Sequence, residues 1–157
     1  MNLTESITEN FTFKEFIVSD DRPDLIPYCY DLFRQREKIN TIQLVHSIIQ
    51  PIREKFKEIM TIKSGFRPPI LNQAIGGAQT SDHLTSLAAD FTCENLIGVY
   101  YWAYHTNLPY RQIILYPNQN FIHVSINTPD KEYKHEALIK WDGNSKYLPF
   151  TGSKLTK

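Results

Sequence analysis

The longest helical pattern of the chain runs from Thr41 to Ile59. Pro51 lies inside it, and because proline lacks an N–H and has a fixed φ, it predicts a kink or a restart of the helix there. We expect a core helix without a functional site, since its apolar residues recur at the spacing that places them on one helix face: Leu44, Val45, Ile48, Ile49, Ile52, Phe56 and Ile59.

Three further segments predict helices. Thr12-Phe13-Lys14-Glu15 has the form of a capping box, and Phe11 and Phe16 flank it as a hydrophobic staple, so a short helix begins there. Residues 24–38 mix apolar and polar positions in a pattern that favours a helix over a strand. Residues 96–105 are apolar and aromatic enough for a mostly buried helix, although Gly98 weakens the pattern.

Five short runs predict strands: 61–64, 87–92, 111–116, 121–127 and 136–141. Residues 117–120 have the composition of a hairpin turn, whereas residues 65–78 form a connection rich in glycine and proline. Mixed helices and hairpin strands predict an α+β fold, with a small antiparallel sheet packed against helices. We expect a single domain over residues 1–141 and a loosely attached C-terminal tail over residues 142–157.

Composition narrows the classes of partner. The 157 residues are 41% hydrophobic and suffice for one domain with a core, with a monomer as the default. The 17 basic residues balance 17 acidic ones, so we expect no nucleic-acid partner. No run approaches the roughly 20 apolar residues of a membrane span, and the first residues lack the pattern of a signal peptide, which predicts cytoplasmic synthesis without membrane insertion. Cys29 and Cys93 lack metal-ligand spacing and are expected to be reduced thiols.

Strand alternation directs two polar side chains away from the core. Aliphatic and aromatic residues flank Asp90 in one predicted strand and His123 in another, so both side chains point to the opposite face. With His83 they supply two imidazoles and a carboxylate, which is the ligand set of many catalytic zinc sites with a fourth position left for water. Non-haem iron sites use the same donor set, so the ligand types alone leave zinc and iron open.

Several short strings of the chain carry a family resemblance: Ser64–Asn72, Gly76–Ala78, Ser81–His83, Ala88–Asp90 and His123–Ser125. Together with Phe11–Phe16 and Pro51–Arg53, they resemble the zinc D-Ala-D-Ala carboxypeptidase and L-alanyl-D-glutamate endopeptidase family, and its phage and bacterial carboxypeptidase-like branch in particular. The resemblance covers roughly residues 10–127.

The resemblance implies a zinc ion bound by His83, Asp90 and His123. It also implies a zinc metallopeptidase that hydrolyses stem peptides of bacterial peptidoglycan, as a carboxypeptidase or an endopeptidase. Without a signal peptide, such an enzyme would reach the cell wall after lysis or in a phage particle.

Other residues match the family near the substrate. Arg67 matches an arginine close to the substrate, where a guanidinium suits a carboxylate or a polarised carbonyl; a structural salt bridge is the alternative. Ser81 matches a serine beside the first ligand, and its hydroxyl would bind substrate or only order the loop. Gly76 and Gly77 are expected to form a turn with positive φ, which Asn72 braces.

The chain departs from the family pattern at the general base. Active members carry a glutamate near the last histidine, but Asn120 stands three residues before His123. Tyr116 stands at the end of the preceding strand, where this branch often has glutamate. Neither side chain is a base at neutral pH. Arg111 replaces a usual aspartate, and Ser86 a usual glycine.

Three readings of the missing glutamate remain open. Tyr116 acts as an acid or oxyanion donor with another base, such as Asp82; the glutamate comes from elsewhere in the chain; or the protein binds zinc without turnover. The last reading would make it a structural or virion module, resembling the signalling domain of hedgehog proteins.

Overall fold

The computed structural model describes residues 4–129, 131–142 and 146–153. Short 3₁₀ helices precede several of the longer elements, at Phe13–Phe16, Pro23–Leu25 and Asp82–Thr85. In these residues the α-helices are α1 (Ile26–Leu32), α2 (Gln35–Leu44), α3 (Gln50–Phe56), α4 (Pro69–Ala74) and α5 (Leu96–His105). The strands are β1 (Thr61–Ser64), β2 (Ala88–Thr92), β3 (Tyr110–Tyr116), β4 (Phe121–Ile126), β5 (Glu136–Ile139) and β6 (Leu148–Pro149).

The strands form one sheet in the order β1-β2-β4-β3-β5-β6. Neighbouring strands are antiparallel except for β3 and β5, which are parallel. After β4 the chain turns back at the end of the sheet where β4 finishes. β5 is therefore antiparallel to β4 and parallel to β3. The predicted α+β single-domain fold is confirmed, with a sheet that is mostly rather than wholly antiparallel.

The core lies between the sheet and the helices. Side chains such as Ile48 and Ile52 pack with Val99 of α5 against Phe91 and Val124, all of them nearly inaccessible to solvent. A smaller apolar cluster forms around α1 and the start of α4, and it includes Cys29. Cys29 and Cys93 are both buried free thiols, as predicted. None of the described helices has the length and apolarity to cross a bilayer.

The helix predicted around Pro51 is confirmed, but it ends before Ile59. Val45–Ile49 form a π-helical segment, and α3 restarts at Gln50 with Pro51 in its first turn. The helix stops at Phe56 because Lys57 adopts a left-handed conformation with φ 56°. Ile59, predicted to face the core, is therefore 82% exposed.

Two other predicted boundaries are wrong. The helix expected over residues 24–38 is interrupted at Phe33 and Arg34, whose extended backbones separate α1 from α2. The connection over residues 65–78 contains α4, which begins with Pro69. Proline fits the first turn of a helix, because the N–H that it lacks would have no partner there in any case. Pro69 therefore lies at the start of a helix rather than in a loop.

Residues 148–150 are attached to the domain more firmly than predicted. Leu148–Pro149 pair with β5, and the ring of Phe150 packs edge-on against Tyr100, Tyr101 and Tyr104. Loose attachment is thus wrong for residues 148–150. Of the predicted tail, residues 143–145 and 154–157 lie outside the described residues, and the boundary at residue 142 remains a prediction.

Replacing Phe150 with alanine is expected to lower the free energy of unfolding by about 3 kcal/mol, because a buried aromatic ring is removed from three ring contacts. Urea unfolding measures the loss. Tyr133→Ala is the matched control, since that ring is 73% exposed and its removal should change stability by less than about 0.5 kcal/mol. Equal losses in the two variants would contradict the attachment of the C-terminal segment.

Candidate metal centre

Two neighbouring strands hold two of the three predicted ligands. Asp90 on β2 and His123 on β4 lie directly opposite each other in the antiparallel register. Their sequence neighbours Ala89 and Val124 are fully buried in the core. The predicted strand faces are therefore confirmed. His83 comes from the 3₁₀ helix Asp82–Thr85, shortly before β2, and is fully buried.

The ligand atoms of these residues converge on one point. His123 Nδ1 lies 2.7 Å from Asp90 Oδ1, and His83 Nε2 lies 3.2 Å from the same oxygen and 3.1 Å from His123 Nδ1. Around a tetrahedral zinc ion with bonds of about 2.1 Å, ligand atoms lie roughly 3.4 Å apart. The observed triangle is only slightly tighter, so the three residues are able to hold a metal ion with small adjustments.

A backbone carbonyl fixes the orientation of the His83 ring. His83 Nδ1 lies 2.7 Å from the carbonyl oxygen of Gly65. Because a carbonyl only accepts hydrogen bonds, Nδ1 carries the hydrogen and the lone pair of Nε2 faces Asp90 and His123. Metal-binding histidines commonly donate the N–H of their other ring nitrogen to such an acceptor, which fixes the ring orientation.

Burial and charge favour the protonation states that ligands need. Burial lowers the pKa of His83, although the neighbouring Asp90 acts in the opposite direction, so this imidazole is kept neutral. For Asp90 burial alone would raise the pKa, but the two histidines outweigh it and lower the pKa below its ordinary value. A neutral imidazole and an ionised carboxylate are the forms that bind metal ions.

Gly65 occupies a position that leaves no room for a side chain. A Cβ atom there would lie 2.3 Å from the carbonyl oxygen of Phe16. The N–H of the next residue, Phe66, donates to that same oxygen at 2.7 Å. The 3₁₀ helix Phe13–Phe16 thus braces the backbone carbonyl that holds His83.

Gly65→Ala is expected to destabilise the fold by about 1–3 kcal/mol, because backbone atoms must move to admit the methyl group. Moving the carbonyl that holds His83 should also weaken zinc binding by about 10-fold. Urea unfolding and zinc titration measure the two effects. Gly76→Ala serves for comparison: its φ is +69° but its Cβ position is open, so it should lose stability without losing zinc affinity. Unchanged zinc affinity in Gly65→Ala would contradict the bracing role.

Arg67 and Ser81 both lie beside the ligands. Arg67 Nη2 lies 3.4 Å from Asp90 Oδ2, so the salt bridge considered as an alternative is present, and the guanidinium also lines the cleft described below. Burial lowers the pKa of Arg67, against the opposing effect of Asp90. Ser81 caps the 3₁₀ helix, and its Oγ accepts from the N–H of His83 at 3.3 Å, which orders the ligand loop. Substrate binding by Arg67 and Ser81 remains a prediction.

The two other predicted catalytic residues have different surroundings. Asp82 contacts the Lys131 ammonium and lies 3.5 Å from Arg111 Nε, so two cations already hold the carboxylate that was considered as a base. The hydroxyl of Tyr116 lies 3.4 Å from that of Tyr147, and burial raises its pKa well above the ordinary value. Tyr116 is thus protonated at neutral pH and suited to donate a hydrogen bond.

The glycine turn is confirmed in part. Gly76 has φ +69° and Asn72 Nδ2 donates to the carbonyl of Ala78 at 2.9 Å, as predicted for a braced turn. Gly77 does not have positive φ; it is confined instead by Asn72, whose Oδ1 would lie 2.2 Å from an added Cβ. Ser86, where the family often has glycine, has φ 59°, the left-handed region that glycine enters without cost.

An open cleft of about 550 Å³ lies over the ligands. It is also lined by residues outside the sequence motifs, notably Gln112 on β3, Glu136 on β5 and Lys134 in the loop before β5. Gln112 and Glu136 are paired across β3 and β5, and their side chains are hydrogen-bonded at 3.0 Å. Gln112 lies two residues before Ile114, and Glu136 lies two residues before Leu138, so alternation places each pair on one face of its strand. This pattern indicates a shared surface only once the pairing of β3 with β5 is known.

A second hollow of about 430 Å³ adjoins this cleft. Arg67, Asp90, Tyr116 and Phe121 line both, and the rings of Tyr116 and Phe121 are stacked with centroids 4.2 Å apart. The candidate metal centre is therefore bordered by open space on two sides.

Comparison with known proteins agrees with this geometry. No match is found among curated proteins. A family model described as Peptidase M15 matches residues 26–125, a segment that contains His83, Asp90 and His123. Since this match covers more than half of the 157 residues, the chain belongs to the peptidase M15 family.

Proposed function

We propose that the protein is a zinc metallopeptidase that hydrolyses peptide bonds in the stem peptides of bacterial peptidoglycan. The observation that carries the proposal is the convergence of His83, Asp90 and His123 at an open cleft. Membership of the peptidase M15 family supports a peptidase with this kind of substrate. We further propose that it acts at the cell wall, reached after lysis or from a phage particle, as a monomer without a nucleic-acid partner.

The donor set fits zinc, with iron as the less favoured metal. His83 and His123 would offer imidazole nitrogen atoms, Asp90 a carboxylate oxygen, and the cleft leaves space for water and substrate. When bound there, zinc supplies a Lewis acid that polarises a carbonyl and lowers the pKa of water to about 7.

The residues around the ligands fit roles in binding and orientation. Arg67 orients Asp90 through its 3.4 Å ion pair and presents positive charge beside the cleft, where a substrate carbonyl becomes more negative during attack. Tyr116 is protonated and lines the same cleft, so it donates a hydrogen bond to that oxygen or to the leaving amine. Ser81 holds the loop that carries His83.

A second candidate is a metal-bound structural module with little or no turnover. It is favoured by one observation: Asp82, Asp90 and Glu136 are the carboxylates among the described residues that line the cleft, and each already contacts cations or ligand residues. In that case the metal would stabilise the fold rather than activate water, and chelation would unfold the protein.

The test uses the full chain loaded with zinc. Purified peptidoglycan and a synthetic stem peptide are incubated with it, and the fragments are identified by mass spectrometry. New amine termini that disappear on chelation and return with zinc are expected. No new termini with stoichiometric zinc confirmed, together with unfolding on chelation, would favour the structural module instead.

A further inference from the structure

We propose that Arg111, Lys131 and Asp82 form a subsite for a carboxylate group of the substrate, beside the ligand His83. The proposal rests on the proposed function for the identity of the substrate, a stem peptide with a glutamate residue. Charge and geometry in the cleft support the subsite itself.

A strand irregularity brings Arg111 to the cleft. On a regular strand, Arg111 and Gln112 would point to opposite faces, yet both line the cleft. The register of β3 against β4 shifts between Tyr110 and Gln112, as at a β-bulge. Bulges re-aim side chains, and here the shift turns Arg111 towards Asp82.

A loop brings the second cation. Lys131 follows β4 in the connection to β5, and its ammonium contacts Asp82 Oδ1 while Arg111 Nε lies 3.5 Å from Oδ2. Asn127 ties this connection together, since its side chain donates to the carbonyl of Lys134 at 2.7 Å and accepts from the N–H of Lys134 at 3.0 Å. Lys131 itself donates its backbone N–H to the carbonyl of Thr128 at 3.2 Å, so its position depends on the backbone as well as on its ion pair.

The cluster carries an excess positive charge. Asp82 supplies one negative charge against the two cations. Elsewhere among the described cleft residues, Arg67 is matched by Asp90 at 3.4 Å and Lys134 by Glu136 at 3.8 Å. Among the described residues that line the cleft, the surplus positive charge therefore lies at Arg111 and Lys131.

The cations keep hydrogen-bond donors for a ligand. An ammonium has three N–H donors and a guanidinium five, more than the contacts to Asp82 and to the carbonyl of Glu132 require. Both side chains are partly exposed, at 29% and 16%. A carboxylate from the substrate accepts charge-assisted hydrogen bonds there, in a setting less screened than open solvent. Because the cluster and His83 line the same cleft, the substrate residue that carries this carboxylate would lie in the cleft together with the bond that is cut.

The experiment compares two stem peptides that differ only in one group, the free carboxylate of the glutamate residue or its amide. Binding to the zinc-loaded full chain is measured by calorimetry, and cleavage of both peptides is followed separately. Wild-type protein is expected to bind the free acid about 10-fold more tightly. Lys131→Gln and Arg111→Gln should each remove most of this preference while binding the amide as before.

Lys55→Gln is the matched control, since it removes the same charge from an exposed position on α3 that borders neither cleft. It should keep the full preference. Circular dichroism confirms that each variant is folded, and the two independent variants guard against misfolding of one.

The outcomes separate the subsite from the peptidase. Preference for the acid without any cleavage would overturn the proposed peptidase but support the subsite. Cleavage with equal or undetectable binding of the two peptides, or an unchanged preference in both cluster variants, would overturn the subsite while leaving the peptidase intact.

Discussion

Replacing His123 with alanine is expected to abolish stoichiometric zinc binding and peptidase activity together. The change removes one of three ligand atoms and leaves His83 Nε2 and Asp90 Oδ1, which are 3.2 Å apart, as the remaining pair. Substituting a residue that only hydrogen-bonds to a metal ligand typically weakens metal affinity about 10- to 100-fold. Removing a ligand itself should therefore weaken zinc affinity by more than about 100-fold. His123 is the better test than His83, because its side chain is 14% exposed and the fold tolerates the smaller residue more readily.

Zinc content after dialysis and the rate of stem-peptide hydrolysis measure the two effects. His46→Ala is the matched control: that histidine is exposed and lies outside the cluster, so both quantities should stay at the wild-type level. Urea unfolding without metal checks that the His123 variant is folded. Full zinc retention by the folded variant would remove His123 from the site, whatever happened to the rate.

The strand faces of Asp90 and His123 were predictable from local alternation, whereas His83 was indicated by the family resemblance alone. The alternation of Asp90 and His123 with buried neighbours is a property of their own strands, and the structure adds only that the two strands are adjacent. The extent of α5 was likewise readable from its continuous apolar run. The fold class followed from the same local elements.

Features that depend on contacts between distant segments were not predictable in this way. The two cations on Asp82 come from a strand irregularity and from a loop, neither of which leaves a periodic signal. Gly77 is confined by the side chain of Asn72 rather than by its own backbone angle. Phe150 lies in the segment predicted as a loosely attached tail, although its ring packs against the aromatic side chains of α5.

The structure therefore supports metal binding more strongly than it supports catalysis. The ligand atoms of His83, Asp90 and His123 converge on one point, and His83 and Asp90 also have the protonation states of ligands. The described carboxylates of the cleft, by contrast, are all held by cations or ligands, and the site offers Tyr116 where the resemblance implies glutamate. A protein with this arrangement should hydrolyse slowly, and its rate should be limited by the missing base.

Tyr116→Glu is accordingly expected to raise the rate of stem-peptide hydrolysis by about 100-fold, the lower end of what a positioned general base contributes. Tyr116 lies on β3 two residues from Ile114, the register partner of His123, so its side chain is on the ligand face of the sheet and lines the cleft. Arg67 lines the same cleft, and its charge would offset repulsion between the new carboxylate and Asp90.

Two matched variants isolate the base. Tyr116→Gln has the same size as the glutamate variant but cannot accept a proton at neutral pH, so it should show no gain. Asn120→Glu places a carboxylate three residues before His123, but Asn120 has φ 55°, lines neither cleft, and directs its Nδ2 to Thr92 Oγ1 at 3.3 Å. It should also show no gain. Steady-state kinetics of the zinc-loaded variants at equal metal content provides the comparison. Equal rates for Tyr116→Glu and Tyr116→Gln would contradict this prediction and would mean that the absent base does not limit hydrolysis at this site.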